Sequence, residues 1–215
     1  PLKFHAGWST CGGTMGAGIA TAALLAGFNV VLIEMKEDAA EAARGRIAGN
    51  LSGALKRGKI TQMKYDAMTN TALEVSINYD SLASVDLVIE AVFEDMGVKK
   101  EVFGKLDAVC KPGAILASNT SYLDVDEIAA SISRPADVIG LHFFSPAHIM
   151  KLLEVVVAEK TAPDVVATGF ALGKALNKIS VRAGVCDGFI GNRILATYRT
   201  AADHMVLDGA SPFQI

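Results

Sequence analysis

The feature that most constrains this chain is an order of elements near its start: a glycine-rich turn, an apolar helix, a buried strand and a terminal acid. Gly12-Gly-Thr-Met-Gly-Ala-Gly18 precedes an apolar run over 19–26, then Gly27 and the strand Asn29-Val-Val-Leu-Ile-Glu34. That order predicts a dinucleotide-binding βαβ unit. In such a unit one glycine lets the backbone approach a pyrophosphate, another lets the helix pack close to the strand, and the helix N-terminal N–H groups face the phosphates. Glu34 follows Gly13 by 21 residues, near the spacing of about 20 at which a carboxylate holds a ribose 2′-hydroxyl. The same charge repels a 2′-phosphate and so favours NAD over NADP, although Lys36 nearby pulls the other way. The alternative reading is a glycine-rich turn with no ligand. In G-x-G-x-x-G register Cys11 takes the first position, with Gly13 and Gly16 in the other two; a side chain at Cys11 crowds a tight turn. The preceding residues 4–10 lack the continuous apolar run expected of a central parallel strand.

With 215 residues the chain can hold one full domain and part of another. An apolar share of 51% predicts a sizeable core and excludes a disordered chain. The net charge of −3 carries no footprint for nucleic acid. Cys11, Cys110 and Cys186 are widely spaced, form no Cys-x-x-Cys pair, and read as reduced thiols without a zinc site. The apolar stretch 19–33 is interrupted by Thr21, Gly27 and Asn29 and is too short to span about 30 Å of hydrocarbon. A chain that starts at Pro1 and stops after Ser-Pro-Phe-Gln-Ile reads as a piece of a longer one.

Residues 38–59 read as a helix with Gly45, Gly49 and Gly53 four apart. Each glycine costs a helix interior about 1 kcal/mol relative to alanine, which implies a close backbone contact or a weak helix. Lys56, Arg57 and Lys59 at its end are either a solvated face or a seat for substrate phosphates. A second helix over 62–70 completes a hairpin inserted into the α/β pattern. Residues 73–78 alternate as a strand, and 86–94 read as a buried strand ending in Glu94. A helix over 98–109 and a strand over 114–121 follow, the latter ending in small polar residues. Glu34, Glu94, Asn119, Ser121 and His142 thus fall at carboxyl ends of successive predicted strands, where open α/β sheets bind ligands.

His142 ends the apolar strand 137–142, and Glu154 lies at the start of the next one, 152–157. A buried carboxylate beside an imidazole fixes its tautomer and stabilises the imidazolium, which is the layout of a general base and its orienting partner. A core histidine bound to a backbone carbonyl, with Glu154 on a solvated rim, is the alternative. A helix over 163–176, a strand over 177–181 and a break before a last helix from about 188 complete the chain. The prediction is an α/β, doubly wound, mostly parallel sheet of the Rossmann type over residues 1–184. Residues 185–215 form the first helix of an incomplete all-α domain.

Five stretches together resemble the 3-hydroxyacyl-CoA dehydrogenase family, the NAD-dependent enzymes of fatty-acid β-oxidation: 13–20, 87–94, 117–121, 141–146 and 188–193. Phe-Phe-Ser-Pro-Ala-His, with Ser145 where many members carry asparagine, is similar to the dehydrogenase part of multifunctional β-oxidation proteins. The resemblance implies oxidation of (3S)-3-hydroxyacyl-CoA to 3-oxoacyl-CoA, with His142 as base and Glu154 as its orienting carboxylate. It places Ser121 and Asn192 on the reacting oxygen, and Gly13, Met15 and Gly16 along the pyrophosphate. Glu34 goes to the adenosine ribose, and Glu94 and Lys99 lie near the nicotinamide ribose. Ala91, Val92, Asn119, Ser121 and Ser145 are further cofactor contacts, and Asn50 and Arg57 fall where the family handles CoA. It further implies a homodimer or a multifunctional assembly. The location is the cytoplasm in a bacterium, or the mitochondrion or peroxisome in a eukaryote. Two other classes stand beside it. One is an inactive nucleotide-binding or structural module of a larger chain. The other is a β-hydroxyacid dehydrogenase using a catalytic lysine, against which the His142–Glu154 pair argues.

Overall fold

The computed structural model describes the backbone of residues 5–9 and all of residues 13–215; Cys11 and its place in the turn lie outside the described residues. Strands β1 (His5–Ser9), β2 (Asn29–Ile33), β3 (Leu73–Ser76), β4 (Leu87–Glu90), β5 (Ile115–Ser118), β6 (Val138–Phe143), β7 (Leu152–Val157) and β8 (Ile179–Gly184) form one eight-stranded sheet of order β3-β2-β1-β4-β5-β6-β7-β8. All neighbours run parallel except β6 and β7, which pair antiparallel.

Helices α1 (Thr14–Leu25), α2 (Glu37–Lys56) and α6 (Pro163–Ala175) cover one face of the sheet, and α4 (Met96–Val109) and α5 (Val125–Ala129) the other. Alternate residues of one strand serve opposite cores. Leu87 and Ile89 pack with Ile19, Leu24 and Leu51, whereas Val88 packs with Phe103, Leu106 and Ile128. A strand buried on both faces must be apolar throughout, which is why 87–89 and 115–117 read as unbroken hydrophobic runs.

The segment before the glycines departs from expectation. Residues 5–9 form the central strand, paired with β2 on one side and β4 on the other. Backbone ladders on both edges hold it there despite its unremarkable composition, since strand preference is largely set by neighbours. Helix α1 begins earlier than its apolar run, at Thr14, so Met15 and Gly16 lie in its first turn. Within α1, a Cβ at Gly18 would meet the backbone nitrogen of Ala147 at 3.2 Å, so glycine allows the loop after β6 to lie on the helix.

Of the two readings of the α2 glycines, a close backbone contact or a weak helix, the contact is not found among the described residues. A Cβ at Gly45 or Gly49 meets nothing within 4 Å, and one at Gly53 meets only the guanidinium of Arg57. The helix nonetheless runs 20 residues, because Ala40, Ala43, Ile47, Leu51 and Ala54 bury one stripe against α1 and the sheet. Tertiary packing of that stripe outweighs the low propensity of the glycines. Helix α3 (Gln62–Ala67) folds back after a Thr61 cap and runs into a π-turn at Met68–Ala72, completing the inserted hairpin.

Candidate active site

The strand predicted over 86–94 stops at Glu90, and its side chain explains why. The Glu90 carboxylate is fully buried and accepts a hydrogen bond from Val92 N at 2.6 Å, which turns the chain out of the sheet. It also accepts from Lys99 Nζ at 2.8 Å and from Ser118 Oγ at 2.7 Å, tying the ends of β4 and β5 to α4. Ala91 and Val92, half-buried, form the loop that follows. Glu94 therefore lies beyond the strand end, where it reaches the loop after β5. Its Oε1 accepts from Thr120 Oγ1 at 2.6 Å, Ser121 N at 2.7 Å and Tyr122 N at 3.1 Å. Its Oε2 lies 3.4 Å from Lys99 Nζ. Burial opposes the charge of Glu94, but the Thr120 hydroxyl, the Ser121 N–H, Lys99 and the Tyr122 N–H outweigh it and hold the carboxyl below its ordinary range.

Lys99 is 1% exposed, and its ammonium already serves two carboxylates, which leaves it buried rather than open to a ligand. Its part is to hold Glu90 and Glu94 in place. Asn119 is also mostly buried, and its Oδ1 accepts from Phe143 N at 2.9 Å, linking the crevice loop to β6. Glu90 and Thr120 are not among the residues singled out in the sequence. A glutamate interrupting the apolar run Leu-Val-Ile-Glu-Ala-Val was the available signal, since such a carboxylate must find donors once buried.

The antiparallel pair β6–β7 sets His142 directly opposite Glu154. Their side chains meet at 2.6 Å, Nδ1 to Oε2, with 4% and 1% of the two side chains exposed. The other oxygen, Oε1, accepts from Ile190 N at 3.1 Å and Gly191 N at 2.8 Å, at the start of α7 (Gly191–Leu207). Each oxygen of Glu154 is thus committed, one to the imidazole and one to two backbone donors, so the carboxylate cannot swing away from the ring. Phe144 and Phe189 pack on the imidazole, with ring centroids 4.5 and 5.7 Å away. With Nδ1 facing the carboxylate, Nε2 is the nitrogen left for a reacting proton. The reading of His142 as a core histidine satisfied by a backbone carbonyl does not hold.

Asn192, in the first turn of α7, donates from Nδ2 to Ser121 O at 3.4 Å, closing the crevice between the loop after β5 and the last helix. Ser121 is half-buried and Ser145 exposed, in the loop following β6. At the other end Glu34 is 4% exposed, and its Oε1 has no hydrogen-bond partner among the described residues. Burial raises its pKa, against an opposing Met35 N–H and Arg46 charge. A buried, unpartnered carboxylate oxygen costs free energy until a donor arrives, and a ribose hydroxyl is such a donor. Glu34 lines a largely apolar cleft of about 560 Å³ with Ile33, Met35, Ile77, Tyr79 and Phe93, ample room for a planar base. Gly13 precedes α1 without any side-chain cap, and the first turn of α1 carries no acid, so its N–H groups suit a phosphate. The residues present therefore fit a dinucleotide with free ribose hydroxyls.

A second cleft of about 340 Å³ lies between α1, α2 and the loop after β6, lined by Asn50, Arg57, Lys59, His148, Lys151 and Lys178. Asn50 and Arg57 thus stand on one basic wall, although Asn50 spends Nδ2 on Thr21 Oγ1 at 3.2 Å.

Residues 10–186 match the family model described as "3-hydroxyacyl-CoA dehydrogenase, NAD binding domain". The chain is 44% identical over 203 residues to the peroxisomal bifunctional enzyme of Danio rerio, covering 94% of this chain and 27% of that protein. It is 41% identical over 204 residues to the glyoxysomal fatty acid beta-oxidation multifunctional protein MFP-a of Brassica napus, covering 95% and 28%. The crystal structure of 3-hydroxybutyryl-CoA dehydrogenase from Escherichia coli superposes with a TM-score of 0.92 at 37% identity, over 98% of this chain and 44% of that one. The chain spans little more than a quarter of the length of the curated relatives it matches. A doubly wound sheet, a buried carboxylate just past the end of β2 and a buried imidazole–carboxylate pair agree with that match, and the chain belongs to the 3-hydroxyacyl-CoA dehydrogenase family, with residues 10–186 matching its NAD-binding domain.

Proposed function

We propose that this chain carries the catalytic base and the cofactor crevice for NAD-dependent oxidation of (3S)-3-hydroxyacyl-CoA to 3-oxoacyl-CoA. The observation that carries the reading is the 2.6 Å His142–Glu154 contact, buried, with both carboxylate oxygens committed. NAD, when bound, supplies the acceptor for the hydride that leaves C3. Nε2 of His142 takes the proton of the 3-hydroxyl as the carbonyl forms, and Glu154 stabilises the imidazolium that results. Ser121 and Asn192 orient the reacting oxygen, and fixing it in line supplies several kcal/mol of barrier lowering, on the order of 7–11 at the limit. The buried side-chain set around His142, with Phe144 and Phe189, excludes water from the imidazole.

Glu34 takes the adenosine ribose and selects against a 2′-phosphate. Gly13, Met15 and Gly16 line the pyrophosphate. Ala91, Val92, Glu94, Asn119 and Ser145 form the nicotinamide end, with Lys99 holding Glu94. Asn50 and Arg57 serve the CoA moiety from the basic cleft. The domain boundary near residue 184 is supported by α7, which contains no buried residue and leaves Ile194, Leu195 and Tyr198 exposed. That helix opens a helical domain, which also offers a surface for a dimer or a multifunctional assembly. Placement in a peroxisome or glyoxysome follows the named locations of the relatives, peroxisomal in Danio rerio and glyoxysomal in Brassica napus. The test is loss of NADH absorbance when the full-length protein is mixed with acetoacetyl-CoA. No loss under conditions where NADH binds would count against the activity and leave a nucleotide-binding module.

A further inference from the structure

The loop between the base's strand and the acid's strand, residues 144–151, is held by a cation that the chemistry above does not use. Pro146 O accepts from Ile149 N and Met150 N, both at 2.9 Å, making a tight turn. That turn directs two carbonyls to Lys178, whose Nζ donates to Ala147 O at 2.5 Å and to Met150 O at 2.6 Å. Lys178 stands at the turn between α6 and β8. Asn177 there is left-handed (φ 55°), and Lys178 N donates to Gly173 O at 2.9 Å, which fixes the direction of the side chain. The next residue, Ile179, donates to Lys151 O at 2.8 Å and begins the β7–β8 ladder. From the other side, Ala147 lies against the backbone of α1 at Gly18. Burial and then the charge of Lys151 lower the pKa of the Lys178 ammonium; charge-assisted bonds to two carbonyls offset that cost.

We propose that Lys178 is a positioning residue for the oxidation assigned above: it latches the 144–151 loop that joins β6 to β7 and so steadies the placement of His142 against Glu154. The inference rests on that functional reading. The structure also offers a rival role, because Lys178 lines the basic cleft with Arg57 and Lys151. A latch and a ligand contact differ in what they move. Losing a latch displaces the dyad and lowers kcat, whereas losing a ligand contact raises KM.

The experiment uses the full-length protein and its Lys178→Met, Lys178→Gln and Lys178→Arg variants. Two readouts are taken: amide hydrogen exchange across 144–152, and steady-state kinetics with acetoacetyl-CoA and NADH. Exchange at Ile149 and Met150 rises about tenfold or more in Lys178→Met, as local opening becomes easier. In that variant kcat falls about 10- to 100-fold, the loss expected from misplacing reacting groups by about 1 Å, while KM for acetoacetyl-CoA stays within about twofold. Lys178→Arg, which keeps a cationic donor, restores most of both. Lys178→Gln reaches one carbonyl and falls between; it decides the matter if Lys178→Met does not fold. Unchanged exchange in the loop, or a raised KM with kcat intact, overturns the proposal. If the unaltered protein shows no turnover, the functional reading fails, and with it the assignment to that reaction. The exchange data then still report whether the latch holds.

Discussion

Replacing Glu154 by glutamine removes one charge and one acceptor while keeping the shape of the side chain, and the structure says what each choice of rotamer costs. If the amide oxygen stays on the α7 side, it still accepts from Ile190 N and Gly191 N, but the amide NH₂ then faces Nδ1 of His142. The ring must present a bare Nδ1 to that donor, so its proton moves to Nε2, where the base needs a lone pair. If the amide flips, the NH₂ faces two backbone N–H groups at 2.8–3.1 Å. Unpaired buried donors there cost roughly 1–3 kcal/mol. The first arrangement is the cheaper one, so the variant folds with the wrong tautomer. General-base catalysis contributes about 10²–10⁴-fold, which is about 3–5 kcal/mol at 1.36 kcal/mol per decade. The assay is kcat with (3S)-3-hydroxybutyryl-CoA and NAD for the full-length protein and Glu154→Gln, beside NADH binding by fluorescence. The expected result is a kcat lower by about two to four decades with NADH affinity within about twofold, since Glu154 touches no predicted cofactor contact. A folded variant whose kcat stays within about threefold of the unaltered protein would refute the reasoning, because tautomer control would then not matter.

Three further outcomes follow from the same geometry. Lys99→Met leaves the buried Glu90 and its neighbour Glu94 without their cation; thermal or urea unfolding should show a loss of about 3–5 kcal/mol, as when one partner of a buried pair is removed. Glu34 has a raised pKa, so its ionised form costs stability above the ordinary value near 4.5 and is the form proposed to hold the ribose. Glu34→Gln should therefore raise the Tm at neutral pH, weaken NADH about 10- to 100-fold, and flatten the loss of NADH affinity that the unaltered protein shows on acidification. Glu94 is the opposite case: its pKa is depressed, so its contribution is complete above the ordinary value near 4.5 and is lost as pH falls through the lower folded value. Acid titration of stability should show that loss, and Glu94→Gln should remove its pH dependence.

Much of this architecture was readable because local and global signals agree. The turn–helix–strand–acid order placed α1, β2 and Glu34, and the unbroken apolar runs at 87–89 and 115–117 announced strands buried on both faces. The pairing of His142 with Glu154 was legible as chemistry but not as geometry. Nothing in the residues said that β7 would turn back antiparallel and set the two in one register. Strand β1 is only weakly signalled in the sequence because its composition is weak and its neighbours on both sides decide its conformation. The extent of β4 was misread for a different reason: a side chain, Glu90, captures Val92 N and ends the strand, and such a capture becomes visible only once the chain is folded. Glu94 and Lys99 consequently serve to pin the 119–122 loop, a task that depends on where two strands stop. The glycines of α2 signal either a close contact or a weak helix, and neither reading anticipates that an alanine-rich stripe is enough to hold the helix.

The central claim is that the imidazole of His142 removes the hydroxyl proton. The most direct measurement is NADH formation from (3S)-3-hydroxybutyryl-CoA and NAD by the full-length protein and by its His142→Gln variant, with NADH binding measured on both. The account predicts turnover by the first, a loss of about 10²–10⁴-fold in the second, and similar NADH affinity in the two. Turnover by His142→Gln at the rate of the unaltered protein would contradict it.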